Sequence, residues 1–564
     1  MKKLITVFIF ASLFVSFARG QSRCLTPMFE SARIALAEKY GGSHGLSDLT
    51  SEIALHEVGD TMTFWSWDLT VMPPVWILVP ATCRAVTENS YVFVADDQWN
   101  VHMDQADVDQ VAYYWEEGTY NDSTYGIYQL NTENFGLPPD ELDRDNHIYI
   151  FYSELGSFGG SVFDGYFSVF NEYTEEEAQG QGGHSNEVEM FYMSCNPGDP
   201  VSPIRISVLA HEFEHMIHWA ADPDEAAWVD EGCAEFAMLL FGMPDPLVDF
   251  PNNPDNNLTT WNNQFADYIK TFMFFTYLAD HYGGAPMIQQ VVQEPANSIF
   301  GVQAALDNMG YIESIEEVFV DWTIANFYHG RGGADSPMPD SQYIYYSIDP
   351  PAFYITNWHT TYPAGPFNRF VYNWGADYVV FGNPDGNFDQ LSIEFGNSGG
   401  NLYGLGIARL NSDDNMNAEK QFPVTEDWSD EYVDFGEDQF IALLISAPAT
   451  QGNHNYSYLG DVLVGIDSPP PVDRSFSLEQ PYPNPFNQRT SIKLSKPIGE
   501  MAFLEIYDIA GRLVDRWLID ENQGRTEIFW NGANNHGKPV ASGIYFFKLT
   551  SGDDSQVARV TLLK

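Results

Sequence analysis

Apolar residues return along this chain at two different periods. Over residues 29–40, 104–114, 203–221, 229–241, 268–282, 302–309 and 314–328 they recur every three to four positions, which predicts helices. Local signals set several of the ends. Ser202-Pro203 offers an N-cap and a first-turn proline, Asp222-Pro223 stops that helix, and Gly242 closes the next. Short β-branched and aromatic runs at 62–69, 75–79, 91–94, 146–152, 163–170 and 185–192 predict strands, the last an edge strand just before the helix at 203. Residues 345–466 carry only such runs, separated by Asn, Asp and Gly, the pattern of an antiparallel sandwich. Ser468-Pro469-Pro470-Pro471 marks a stiff linker at 467–475, and 476–564 again reads as all-β. A chain of 564 residues is too long for one core. The expectation is therefore multidomain: residues 21–100 as a β-rich lead or removable propeptide, 101–340 as an α+β domain, 345–466 as a β-sandwich, and 476–564 as a C-terminal β-sandwich.

The first twenty residues alter where this happens. Lys2-Lys3, an apolar run over 4–17 and Ala18-Arg19-Gly20 make an export signal with a cleavage site before Gln21. No later stretch reaches the roughly 18 apolar residues of a membrane span. The formal charge is −54, about −57 once Lys2, Lys3 and Arg19 are lost. That field excludes nucleic-acid backbones as partners and keeps the chain soluble. Acidic stretches at 249–255, 413–414 and 427–438 offer oxygen ligands for structural Ca²⁺, though none is a twelve-residue calcium loop. Four cysteines are too few for a disulfide scaffold, but export permits two bridges, Cys24 with Cys83 and Cys195 with Cys233.

The chemistry concentrates on His211-Glu212-Phe213-Glu214-His215. Four residues apart on a helix, the two imidazoles reach a common point, and Glu212 flanks it, close enough to handle the proton of a water. This is the H-E-x-x-H arrangement that holds Zn²⁺ through two neutral histidines, with the glutamate as general base. A third ligand is needed. Glu231 and Glu235 lie sixteen and twenty residues past His215 on one face of the next predicted helix, and spacing leaves both open. His218 shares the histidine face, but one straight helix does not wrap three turns around one tetrahedral ion.

Trp228-Val229-Asp230-Glu231-Gly232-Cys233-Ala234 resembles the W-L-N-E-G-x-A phrase of the aminopeptidase-like gluzincin metallopeptidases. The resemblance implies a zincin-like domain with Glu231 as third metal ligand, and Glu235 orienting His211. It also implies a later tyrosine that hydrogen-bonds the oxyanion; Tyr268, with His281 behind it, is the candidate, and residues 258–261 would line the cleft. The edge strand would pair with an extended substrate. A metzincin would need glycine at 218 and histidine at 221, where this chain has His218 and Ala221.

A second resemblance covers residues 476–564. Gln480-Pro481-Tyr482-Pro483-Asn484-Pro485-Phe486-Asn487, Leu504-Glu505-Ile506-Tyr507-Asp508, Gly511-Arg512-Leu513-Val514 and Gly543-Ile544-Tyr545-Phe546 resemble a type IX secretion C-terminal sorting domain. It implies an immunoglobulin-like fold, a type IX machinery partner, and release from or attachment to the surface of a didermal bacterium. The expectation is a secreted zinc endopeptidase acting on proteins or peptides. A zinc aminopeptidase is the rival enzyme, although no G-x-M-E-N-like amine-binding phrase stands upstream; a non-catalytic surface adhesin on a peptidase fold is the rival without chemistry.

Overall fold

The computed structural model describes residues 24–41, 55–71, 73–140, 142–158, 161–329, 341–397, 399–411, 416–452, 454–463, 477–478, 480–496, 501–509, 511–519, 525–535, 538–551 and 554–563. The export signal, Asp413-Asp414 and the proline linker lie outside them.

The N-terminal part is mixed α/β. After helix α1 (Glu30–Tyr40), strands β1 (Thr61–Asp68), β2 (Val75–Val86) and β3 (Ser90–Ala95) form an antiparallel meander. Helix α2 (Gln105–Glu116) follows, started by a reciprocal cap between Asp104 and Asp107, and then helix α3 (Ile127–Asn134). Strands β4 (Ile148–Ser153), β5 (Gly165–Phe167) and β6 (Met190–Ser194) extend the same sheet, in the order β1-β2-β3-β4-β6-β5. β3 and β6 both run parallel to β4, while β5 returns antiparallel to β6. The boundary expected at residue 100 is thus absent, because the meander of residues 61–95 is half of the sheet that carries the site.

The strand before the motif helix also differs from expectation. β6 is buried along its whole length between β4 and β5, as its unbroken Met-Phe-Tyr-Met run requires. The edge belongs instead to the three-residue β5. Asn186 and Glu187 pin the turn that leads into β6. The Asn186 amide bonds both backbone polar groups of Trp65 and the Tyr192 hydroxyl, and a Glu187 oxygen accepts from the Glu175 N–H.

Three long helices pack beneath the sheet: α4 (Pro203–Ala221), α5 (Ala227–Phe241) and α6 (Phe265–His281). Ser202 stands at the N-cap of α4, but its hydroxyl donates to the Asp199 carbonyl and caps nothing. Gly242 closes α5 at φ +103°, where a Cβ would also strike the Asn121 side chain. Phe213 of α4 sits between Trp115 and Tyr128, with ring centroids 4.9 and 5.6 Å away, which fixes the rotation of the motif helix. The Asn131 amide adds a 2.7 Å bond to the Ala210 carbonyl. Helices α7 (Ala285–Val292), α8 (Ile299–Met309) and α9 (Ile315–His329) complete this part.

The remainder is mostly β. Strands Met416–Val424, Tyr403–Asn411, Asp438–Ser446, Ala376–Gly382 and Asn357–His359 form one sheet in that spatial order. Ala364–Val371, His454–Leu463, Gln390–Gly396 and Trp428–Tyr432 form the other. Residues such as Phe381, Ile393, Leu405 and Tyr456 are buried between them. The five-stranded sheet turns its other face to α9: glycines at 404 and 406 leave room for Val320 and Ile324, and the Tyr378 hydroxyl donates to the Thr323 carbonyl at 2.9 Å. From Ser477 onward a three-stranded and a four-stranded sheet enclose a separate core around Trp530 and Phe547.

Candidate metal centre

Helix α4 places His211 and His215 on one face, and α5 crosses it so that Glu231 meets both. The His211 and His215 Nε2 atoms are 3.1 Å apart, and Glu231 lies 3.3 Å from the first and 3.5 Å from the second. All three residues are buried. Each histidine has a carboxylate behind its other nitrogen. Asp230 meets His215 Nδ1 at 2.8 Å, and Glu235 lies 3.6 Å from His211 Nδ1. Asp230 is held in turn by Arg33 of α1 at 2.7 Å, with both side chains buried. Of the two glutamates that spacing left open, Glu231 faces the imidazole pair and Glu235 stands behind it.

This arrangement fits a divalent cation. Each ring turns Nδ1 toward a carboxylate and Nε2 toward the other ring, the orientation in which both Nε2 atoms can bind one metal ion. Both Glu231 oxygens are buried without a hydrogen-bond partner. Burial pushes Glu231 up to about 8. Burial pulls His215 down, but Asp230 and Glu231 outweigh it and carry the ring up to about 10. For Asp230 burial acts upward, yet His215 and Arg33 hold it well below the usual carboxylate range. The site therefore calls for positive charge at its centre. Nitrogen and carboxylate donors in a closed pocket suit zinc.

Glu212 projects to the side of this cluster, fully buried, and burial raises it to about 7 even though His211 and His215 oppose the shift. Gly165 on the edge strand makes that position possible: a Cβ there would lie 3.0 Å from the Glu212 side chain and 2.9 Å from the Tyr192 carbonyl. Tyr268, on the first turns of α6, is fully buried against Trp261 and directs its hydroxyl to the Cys24 carbonyl at 3.0 Å. His281 lies at the far end of α6, beneath Tyr277 and 2.8 Å from the Ile344 carbonyl, and takes no part. His218 is buried beside Glu214 and Asp230, in a cluster with Glu214 and Cys233 rather than with His211 and His215.

Three members of the site escape a sequence reading. Asp230 directly precedes Glu231, a hint available in the Asp-Glu-Gly phrase. Gly165 had only its place in the strand expected at 163–170. Cys24 had no signal beyond standing four residues after the expected cleavage point. No pairing of Cys24 with Cys83 or of Cys195 with Cys233 is present; all four are buried and none is in a disulfide. The clusters of possible ligand side chains found among the described residues lie around α4 and α5, and none includes residues 249–255 or 427–438.

Residues 486–555 match the FlgD Ig-like domain family, which covers the C-terminal β unit alone. No curated protein matches the chain. Solved structures overlap it only in part. PorZ of the type IX secretion system of Porphyromonas gingivalis is 20% identical over 20% of this chain and 14% of its own, at a TM-score of 0.12. Dimeric latent PorU from the same organism is 10% identical over 37% and 19%, at 0.14. A β-1,2-glucanase from Parabacteroides distasonis is 14% identical over 34% and 30%, at 0.15. The chain thus spans under a third of the length of each of these structures. No helix among the described residues is long and apolar enough to cross a membrane.

Proposed function

We propose that the protein is a secreted zinc metalloendopeptidase with a zincin-like catalytic domain, His211, His215 and Glu231 holding the metal. The observation that carries this reading is the pair of facing Nε2 atoms 3.1 Å apart, closed by the buried Glu231 carboxylate, which meets both rings. A zinc ion held there supplies Lewis acidity toward a peptide carbonyl and toward water.

The chain's own residues account for the rest. Glu212, shielded from solvent and with its affinity for a proton raised toward neutrality, takes a proton from the attacking water and returns it to the leaving amine. Tyr268 already donates to a backbone carbonyl inside the site, which is the contact an oxyanion stabiliser needs. Asp230 and Glu235 fix the tautomers of the histidines. The β5 edge offers backbone groups to an extended substrate. The C-terminal unit, by its resemblance at 476–564, is assigned the role of export signal for the type IX machinery, which places the enzyme outside a didermal bacterium.

The test is cleavage of internally quenched peptides with blocked ends by the zinc-loaded chain, beside Glu212→Gln. The proposal expects cleavage by the wild type after any latency is relieved, and loss of cleavage with retained zinc in the variant. Cleavage of free-N-terminal peptides alone would make it an aminopeptidase. Equal binding and no cleavage by both forms would make it an adhesin. Deleting residues 476–564 should leave the protein in the periplasm.

A further inference from the structure

The strand that enters the site belongs to the chain itself. Cys24 is 2% exposed, and its Sγ lies 3.5 Å from His215 Nε2 and 3.5 Å from a Glu212 oxygen. Ligand atoms of Cys24, His211, His215 and Glu231 all fall within 4.8 Å of one another. Four donors around a tetrahedral zinc, at its usual N, O and S bond lengths, must stand about 3.3–3.6 Å apart. The distances are 3.1 Å between the imidazoles, 3.3 Å from His211 to one Glu231 oxygen, 3.5 Å from His215 to the other, and 3.5 Å from His215 to the thiol. Cys24 stands where a substrate or a water would have to enter.

Its backbone is held as a ligand's would be. Cys24 makes a parallel bridge to Gly165 on the free edge of the sheet, and the Leu25 N–H donates to the Gly165 carbonyl at 3.2 Å. The Phe167 N–H donates to the Thr26 hydroxyl at 2.9 Å, and Tyr268 donates to the Cys24 carbonyl at 3.0 Å. Leu25 and Phe29 are buried, Phe29 against Trp67, Tyr166 and Phe170, and Arg33 anchors the helix behind them on Asp230. Every group assigned to substrate, whether β5 edge, oxyanion donor or open metal position, is engaged by residues 24–26.

We infer that Cys24 is the fourth metal ligand and that residues 24–41 form a built-in inhibitor, so that the full chain is latent until the Cys24 strand is displaced. This rests on the metal-centre reading above. A tethered ligand acts at an effective concentration in the millimolar range, enough to exclude a peptide at micromolar levels without high intrinsic affinity. Displacement by cleavage within this segment, or by reagents that cap the thiol, would open the position to substrate.

The test replaces zinc by cobalt in the full chain and records its absorption. A thiolate ligand gives a near-ultraviolet sulfur-to-cobalt charge-transfer band. The inference expects that band in the wild type, its loss in Cys24→Ser with one cobalt still bound, and its persistence in Cys233→Ser, the thiol of the neighbouring Glu214–His218 cluster. In the zinc forms, cleavage by Cys24→Ser should exceed that by the wild-type full chain at least about tenfold. Cobalt bound without the band, a band that survives Cys24→Ser, or one lost in Cys233→Ser overturns the inference and leaves the peptidase reading standing. Loss of the band with no gain in cleavage overturns the latency. A wild type that binds no cobalt overturns both readings.

Discussion

Gly232 follows Glu231, the proposed metal ligand, for a steric reason that can be measured. A Cβ built on Gly232 would lie 2.2 Å from Cδ2 and 2.6 Å from Cε2 of Phe275 on α6, where ordinary contact begins at 3.4 Å. Phe275 is fully buried, with its ring 5.6 Å from that of Trp228 and 5.5 Å from that of Phe274, so it has nowhere to turn. Gly232→Ala must therefore push α5 from α6 by about 1 Å, the shortfall against that 3.4 Å contact. Overpacking of this kind costs about 1–3 kcal/mol. Calorimetric unfolding of the metal-free variant should register it as a fall in Tm of at least about 2 °C, metal-free so that lost binding does not add to the loss. Glu231 moves with the helix, and zinc affinity should fall about 10–100-fold, the range seen when a ligand's support is disturbed. Phe275→Leu makes room, so the double variant should lose less than the sum of the single losses. A variant within about 0.5 kcal/mol of wild type at unchanged zinc affinity, or strictly additive losses, would refute the reasoning.

Two further outcomes follow from the same geometry. In the Cys24→Ser background, Tyr268→Phe should lower kcat by about 10²–10³ while zinc content stays at one per chain; a loss confined to KM would remove Tyr268 from the oxyanion role. Burial, and after it the charge of Asp377, carries the Asp255 carboxyl from its ordinary value of 3.8 up to about 7. Its contribution to stability is therefore full below about 4 and lost as pH rises through 7. Asp255→Asn keeps an oxygen for the Tyr372 N–H and should flatten the fall in Tm between about pH 4 and 7, the span of that shift; an unchanged slope would place the titration elsewhere.

Much of the local structure was legible because its causes are local. A helical repeat of four puts His211 and His215 on one face, and Asp104 with Asp107, or Gly242 after α5, marks an end wherever the helix packs. The C-terminal unit was legible from its phrases, and residues 486–555 match the FlgD Ig-like domain family. What stayed hidden depends on how distant elements meet. Strand order in a sheet is decided by crossovers, so the wholly buried β6 was read as an edge when β5 holds that place. Arg33 reaches Asp230 across 197 residues, and Cys24 reaches His215 across 191. No periodicity carries such information. Where a bridge to Cys83 was expected, Cys24 lies 3.5 Å from His215 instead.

The central claim, a single zinc held by two histidines and a glutamate, is most directly tested by elemental analysis after equilibration in metal-buffered zinc. Wild type and Glu212→Gln should each retain one zinc per chain, while His215→Ala and Glu231→Ala should fall to a small fraction of that. A zinc-free wild type, or full occupancy in His215→Ala, would contradict the account.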